Sequence, residues 1–320
     1  MKKLRPINSF LEGDKVQGFY LCVEKHLRYT RSGDKYIDLE LRDITGHISG
    51  KIWDNVLELN EKFDSGNAVA VSGVVENFLE KSQLIIKKIN KATIQHYSRY
   101  GFDPAKVVPS SKKNPNKMWS EIETLINGIK NELLKRLVRV IYQSNKKKLL
   151  VLPGSVKMEY SYRSGFIESI ISMVQVAKKI SPLYNVDRDL VCTGIFLYGI
   201  GKLNEINSEY EAGYTTEGNL IGHSVMSRDI VRDATQKIKD FPEKFTRMIE
   251  HIILSCDDHT KLNFSKRPSF PEALLVNRII SLDSNMNLMH AALDEDQETG
   301  EFTNRHNFFR TPLYKKDGLK

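Results

Sequence analysis

Cysteine is scarce: Cys22, Cys192 and Cys256 are the only three in 320 residues. Their wide separation suits neither a disulfide framework nor the spacing of cysteine metal ligands. Long apolar runs are absent too. The longest, Val191 to Ile200, is interrupted by Thr193, Gly194 and Gly199 and is too short for a hydrocarbon layer about 30 Å thick. With 19 Gly and 10 Pro, the chain has too few of either for a fibrous or low-complexity protein. No block of like charge marks a disordered tail. The opening stretch from Met1 to Asn8 is polar and basic, so no secretory leader is expected. These absences predict a cytoplasmic protein without membrane attachment.

What is present is an ordinary globular balance of 40% hydrophobic and 28% charged residues, at a length suited to about two domains. The net charge of +8 is unevenly placed. Residues 1–100 carry 16 Lys and Arg against 13 Asp and Glu, and residues 101–160 carry 12 against 5. Residues 161–320 carry 20 against 22. A basic front and middle points to a polyanion bound by the first half. The same lysines also suit a solvated linker and helix end, and charge alone leaves both readings open.

From Val16 to Thr93 the pattern has period two, rich in β-branched and aromatic residues between turn signals. It predicts strands over 16–29, 35–44, 47–53, 67–79 and 83–93, with a short helix over 55–63 before the fourth strand. That order fits a five-stranded OB-fold barrel. Alternation turns Ile37, Leu39, Leu41, Ile48 and Ile52 inward. It leaves Tyr36, Asp38, Glu40 and Arg42 outside on one strand, and His47, Ser49, Lys51 and Trp53 outside on the next. Such a face holds single-stranded nucleic acid by stacking bases on aromatics and tracking phosphates with cations. Tyr36, Arg42, Lys51 and Trp53 are therefore candidate binding residues. Asp38 and Glu40 on the same face would repel phosphate. Packing of Trp53 under the 55–63 helix, and of Tyr36 on a neighbour, is the competing structural reading.

Gly101 to Lys117 contains Pro104, Pro109, Pro115 and the run Ser110-Ser111-Lys112-Lys113, a linker composition. Lys112, Lys113 and Lys117 are candidate phosphate contacts. Ser120 with Glu123 reads as a capping box opening a helix. Ile122, Leu125, Ile126, Ile129, Leu133, Leu137, Val138 and Ile141 follow at helical spacing. From Lys157 to Leu293 helical periodicity continues, with helices expected over 166–180, 187–198, 221–238, 242–254 and 271–292. Periodicity there says only that the domain is helical.

Four segments of that domain are distinctive: Asn185-Val186-Asp187-Arg188-Asp189-Leu190, Tyr214 through His223, His251-Ile252-Ile253-Leu254-Ser255, and Ile280 through Asn287. Together with Tyr36-Ile37-Asp38-Leu39 and Lys51-Ile52-Trp53-Asp54, they resemble the YhaM-type 3′–5′ exoribonucleases over nearly the whole chain. The resemblance implies an N-terminal OB-fold joined to a metal-dependent HD hydrolase domain. In such a domain a helix His, an adjacent His-Asp pair, further His residues and a late Asp hold divalent metal, which activates water against the phosphodiester.

Residue by residue this chain departs from the family's ligand set. Ser169 stands at the helix His, and Tyr198-Gly199 at the His-Asp pair. Cys256-Asp257 stands at a later His-His, Ile280 at an acid, and Glu159-Tyr160 at an upstream His-His. His223, His251 and Asp283 survive, with Asp258 and His259 near in sequence.

The reading is thus an α+β protein with an OB-fold domain over 1–98, a basic linker and connector helix over 99–156, and an all-α, HD-like domain over 157–320. The expected partner is single-stranded RNA or DNA, with RNA favoured. No catalytic residue, metal or other cofactor is expected. Manganese or magnesium would belong to an alternative in which altered ligands keep an exoribonuclease active. A third reading is an oligomeric scaffold that self-associates through the helical domain.

Overall fold

The computed structural model describes residues 5–79, 81–207, 210, 212–256 and 266–315. Two compact units divide them: residues 1–111 with 208–211, and residues 112–207 with 212–320. Among the described residues no helix is long and apolar enough to cross a membrane.

The first unit is built on five strands, β1 (Lys15–Tyr29), β2 (Lys35–Asp43), β3 (Gly46–Ile52), β4 (Ala68–Phe78) and β5 (Lys81–Lys91). The short helix α1 (Val56–Asn60) lies between β3 and β4. They close into a barrel of order β1-β2-β3-β5-β4, so no strand edge is left open. β1 serves two neighbours in succession. Its first half pairs with β4 from Lys15 to Leu21, and its second half pairs with β2 through a bulge between Cys22 and Glu24. The β2–β3 register sets Ile37 opposite Ile52, Leu39 opposite Gly50 and Leu41 opposite Ile48. All of these apolar side chains are buried, with Val69, Val71, Val75, Leu84, Ile86 and Phe63. Gly50 eases this crowding: a Cβ there would lie 2.9 Å from Ile86 Cδ1 and 3.1 Å from Leu39 Cγ, so both side chains would have to shift.

Composition misleads at the stretch beginning with Gly101. After α2 (Ile94–Tyr97) the chain does not leave the barrel as a linker. Phe102, Val107 and Val108 are buried in a second apolar cluster with Leu21, Ala68 and Ala92. The prolines there shape a packed turn rather than a free one.

The second unit is helical. It contains α3 (Pro115–Asn127), α4 (Glu132–Ser144), α5 (Lys146–Leu149), α6 (Gly165–Ile180), α7 (Arg188–Leu197) and α8 (Lys202–Glu205). After a two-residue strand pair, β6 (Ile206–Asn207) with β7 (Gly213–Tyr214), come α9 (Thr216–Leu220), α10 (His223–Gln236), α11 (Glu243–Leu254) and α12 (Pro271–Glu295). One apolar core runs from Met118 and Trp119 through Phe166, Ile170, Phe196 and Ile252 to Ile279. From Leu190 to Leu197 every α7 residue is buried, which is why its sequence reads as a nearly unbroken apolar run.

The expected connector helix is corrected in two ways. Ser120 caps nothing: α3 begins at Pro115, and the Asn114 side chain accepts from the amides of Asn116 and Lys117 at 3.0 and 3.1 Å. The apolar stripe also belongs to two helices. α3 stops at Asn127, and Asn131 caps α4 by accepting from Leu133 and Leu134. Both helices bury their stripes in the core of the helical unit, so residues 112–149 pack as part of that unit.

Candidate nucleic-acid interface

Period-two pleating fixes which side chains leave the barrel. On β2, Ile37, Leu39 and Leu41 are fully buried while Tyr36, Asp38, Glu40 and Arg42 lie on the outer face. Strand β3 ends at Ile52, and the next residue, Trp53, is 46% exposed, so α1 does not cover it. The Tyr36 and Trp53 rings stack on one another, with centroids 4.7 Å apart and planes inclined by 24°. Lys51 extends beside them, its Nζ 5.4 Å from the Tyr36 ring centroid.

The two acids on this face are matched. Asp38 lies opposite Lys51 in the β2–β3 register, and its Oδ1 accepts from Lys51 Nζ at 2.5 Å. Arg28, from the far half of β1, reaches the other oxygen, with Nε 3.0 Å from Asp38 Oδ2. Glu40 Oε1 lies 2.7 Å from His47 Nδ1. Asp38 therefore holds two cations in place near the ring pair and Glu40 is engaged by His47, which tempers the repulsion expected from them. Arg42 lies on the same face opposite His47. Arg28 and the 62% exposed Tyr29 were not singled out in the sequence. Arg28 pairs with Tyr36 beyond the bulge between Cys22 and Glu24, a shift that alternation along β1 does not announce, while Tyr29 pairs with Lys35 and takes the opposite face.

The three connector lysines fall in the helical unit. Lys112 and Lys117 are exposed, while Lys113 Nζ lies 3.2 Å from Glu168 Oε1.

The positions singled out by the ligand pattern are occupied by structural contacts. Ser169 is buried and donates to the Phe166 carbonyl at 2.8 Å. Tyr198 packs against the helical core, and burial pushes its phenol well above the ordinary value. A Cβ on Gly199 would meet the Phe166 ring at 3.3 Å. Ile280 packs against the core. The Tyr160 amide donates to Asn287 Oδ1 at 2.8 Å, and its hydroxyl acts on the Asp283 carboxyl, favouring its charged form.

Each survivor has its own local partner. Asp283 also accepts from the Ser172 hydroxyl. Burial pushes its carboxyl up against those two donors, and Glu159 and Glu168 add to the rise. His223 places its amide and Nδ1 at 3.1 and 3.2 Å from Glu205 Oε1. Burial raises the Glu205 carboxyl, but the His223 contacts outweigh it and leave it below the usual range. His251 Nε2 accepts from the Ser269 amide at 3.0 Å, and burial, then Lys266, hold its ring below the ordinary histidine value. Among the described residues no three His, Cys, Asp or Glu side chains converge as a metal site. Asp257, Asp258 and His259 lie outside the described residues.

Residues 21–92 match the family model of the OB-fold nucleic acid binding domain of the tRNA anti-codon type. The barrel is an OB-fold. Among solved structures, the second OB-fold domain of replication protein A from Methanococcus maripaludis is similar at 21% identity over 27% of this chain and 92% of that one, with a TM-score of 0.23. The single-stranded DNA binding protein from Thermus aquaticus is similar at 18% identity, over 25% of this chain and 40% of that one, with a TM-score of 0.23. A mitochondrial single-stranded DNA binding protein from S. cerevisiae is similar at 14% identity, over 26% of this chain and 97% of that one, with a TM-score of 0.23.

Proposed function

We propose that this protein binds single-stranded nucleic acid, RNA in preference to DNA, across the outer face of β2 and β3. We further propose that its helical unit is a hydrolytically inactive relative of the HD domain of YhaM-type exoribonucleases. The observation that carries the first part is the stack of half-buried Tyr36 on exposed Trp53, with Lys51 and Arg28 held beside it by Asp38. Each nucleotide offers a flat base and one negative charge. A preformed aromatic platform takes the base with little loss of side-chain freedom, and the flanking cations take the backbone. Because the two rings contact each other, a base stacks on the outward face of the pair.

The second part rests on the chemistry of the donors. Two-metal hydrolysis needs charged or imidazole ligands converging on ions about 3.5–4 Å apart. Ser169 is spent on its own helix and Tyr198 is held protonated by burial, while Gly199 and Ile280 have no donor atom. His223, His251 and Asp283 are each engaged by a different neighbour. These residues do not suit a resident divalent metal.

The test is binding of a fluorescent single-stranded RNA, with DNA beside it, by the full chain and by Trp53→Ala and Tyr36→Ala. Loss of about 1–3 kcal/mol per stacked base is expected. Unchanged affinity in both folded variants sinks the interface. For the second part, RNA decay with added manganese that is abolished by His223→Ala, His251→Ala and Asp283→Ala would restore the enzyme.

A further inference from the structure

The last described segment of the helical unit, Phe302 to Lys315, is absorbed by neither part of the proposed function. It has no regular secondary structure, yet it is tightly built. Phe302 and Tyr314 form an isolated antiparallel bridge. The Thr303 amide donates to the Leu313 carbonyl at 2.9 Å, and the Leu313 amide returns to Thr303 Oγ1 at 3.0 Å. Asn307 Nδ2 donates to the Thr311 carbonyl at 2.8 Å. Asp296 anchors the base of the loop, accepting from the amides of Glu298 and Asn304 and pairing with Lys315. Thr303 and Leu313 are buried by this arrangement.

The aromatic side chains are not. Phe302, Phe308 and Tyr314 are 51%, 48% and 54% exposed. They form two small ring clusters, Phe302 with Tyr314 and Phe308 with Phe309, each with centroids 5.3 Å apart. Between them Arg305, His306 and Arg310 are exposed as well. From Phe302 to Lys315 the sequence has two Arg, one Lys and one His but no Asp or Glu. Among the described residues neither Arg305 nor Arg310 is ion-paired.

A loop that fixes its backbone by hydrogen bonds and then presents paired rings to water offers a prepared surface to a ligand with flat apolar faces. The charge pattern chooses the ligand. Protein interfaces gather apolar side chains in a core depleted of charge, whereas here cations interleave with the rings along a single loop. That interleaving fits a chain of bases joined by phosphates. We infer that the Phe302–Lys315 loop is a second single-stranded nucleic-acid contact, separate from the barrel face. The rings receive bases, and Arg305 and Arg310 receive the phosphates beside them. The inference goes beyond the barrel interface and stands or falls on its own residues.

The experiment uses the full chain and fluorescence anisotropy with a labelled single-stranded RNA of about 30 nucleotides, longer than the roughly 4–16 that one OB-fold occupies. Two variants are made, Phe308→Ala and the charge-only double variant Arg305→Gln with Arg310→Gln. Both alter exposed side chains and spare the Thr303–Leu313 scaffold, and circular dichroism checks their folding. The expected result is binding weakened roughly tenfold by each. Full affinity in both variants overturns the inference. So does full affinity accompanied by a changed sedimentation coefficient, which would make the loop a contact between copies of the chain. Trp53→Ala, measured alongside, reports on the barrel face separately, so failure of one surface is not read as failure of the other.

Discussion

The Asp189 carboxylate accepts the backbone amide of Asn131 at 2.8 Å, and the same oxygen accepts the amide of Lys130, also at 2.8 Å. These donors belong to the turn between α3 and α4, where helix geometry has ended and no carbonyl is in place to receive them. One residue near the start of α7 thus satisfies the break between two other helices. Asp189→Ala would strand both amides in a partly buried turn. It is expected to lower the unfolding free energy by about 1–3 kcal/mol, with Asp189→Asn losing less because its carbonyl oxygen still accepts. Urea titrations of the two variants measure this, and equal loss in both would show that charge rather than acceptance is what counts.

That turn also shows why the sequence is only partly legible. Barrel strands are readable because alternation records burial directly: Ile37, Leu39 and Leu41 against Tyr36, Asp38 and Glu40. Helix boundaries are harder, because Ser-x-x-Glu is a local pattern that a helix interior satisfies equally well. Ser120 Oγ in fact donates back to the Asn116 carbonyl, and Glu123 accepts from Trp119 Nε1 at 2.9 Å. The true caps, Asn114 and Asn131, lay outside or within an apolar stripe whose period continues across the break. Pairing is invisible for a different reason. That Asp38 would meet Lys51 across a strand and Arg28 from another depends on register and on the bulge in β1, which composition does not encode. The burial of Phe102, Val107 and Val108 was hidden by the prolines and lysines around them.

Asp38 sits between Lys51 and Arg28, which makes an unusual prediction for a binding face. The carboxylate both positions the two cations and competes with phosphate for them. Asp38→Asn removes a negative charge from the face while keeping a hydrogen-bond acceptor. With the carboxylate charge gone, Lys51 and Arg28 are free to meet phosphate, so RNA binding is expected to tighten a few-fold at low salt, with a steeper dependence on salt. Anisotropy titrations at two or more salt concentrations check it. Weaker binding by Asp38→Asn would mean that holding Lys51 in place matters more than freeing it.

The lysines at the start of α3 separate by their contacts. Lys112 and Lys117 are exposed, whereas Lys113 is engaged by Glu168. If the exposed pair neutralises phosphates, log K should fall with log salt by about 0.7 for each contact on a single strand. Lys112→Gln with Lys117→Gln should therefore flatten the slope by up to about 1.4, and Lys113→Gln by less. A slope indistinguishable from that of the parent chain in the double variant would show that these side chains only solvate the helix start.

Asp283 supplies a prediction with a definite sign in pH. Burial raises its carboxyl above the ordinary value of 3.8, against the opposing hydrogen bonds from Ser172 and Tyr160, and the nearby Glu159 and Glu168 push in the same direction as burial. The native state therefore holds a proton that the unfolded chain has already released once pH passes the ordinary carboxylate value. Stability falls wherever the native state binds more protons than the unfolded state and pH is rising. The Asp283 contribution is accordingly most favourable below the unfolded pKa. It declines through the window between that value and the raised one, and it stays at its least favourable at neutral pH. Asn is nearly isosteric with the protonated acid, keeps one oxygen for the Ser172 and Tyr160 hydroxyls, and cannot ionise. Asp283→Asn should match the parent chain at about pH 4 and exceed its stability at about pH 7, where the parent must bury a charge. Thermal unfolding midpoints across that range provide the measurement. A variant that is less stable at neutral pH, with the same pH slope as the parent, would mean that the ionised carboxylate is the form the helical core is built to hold.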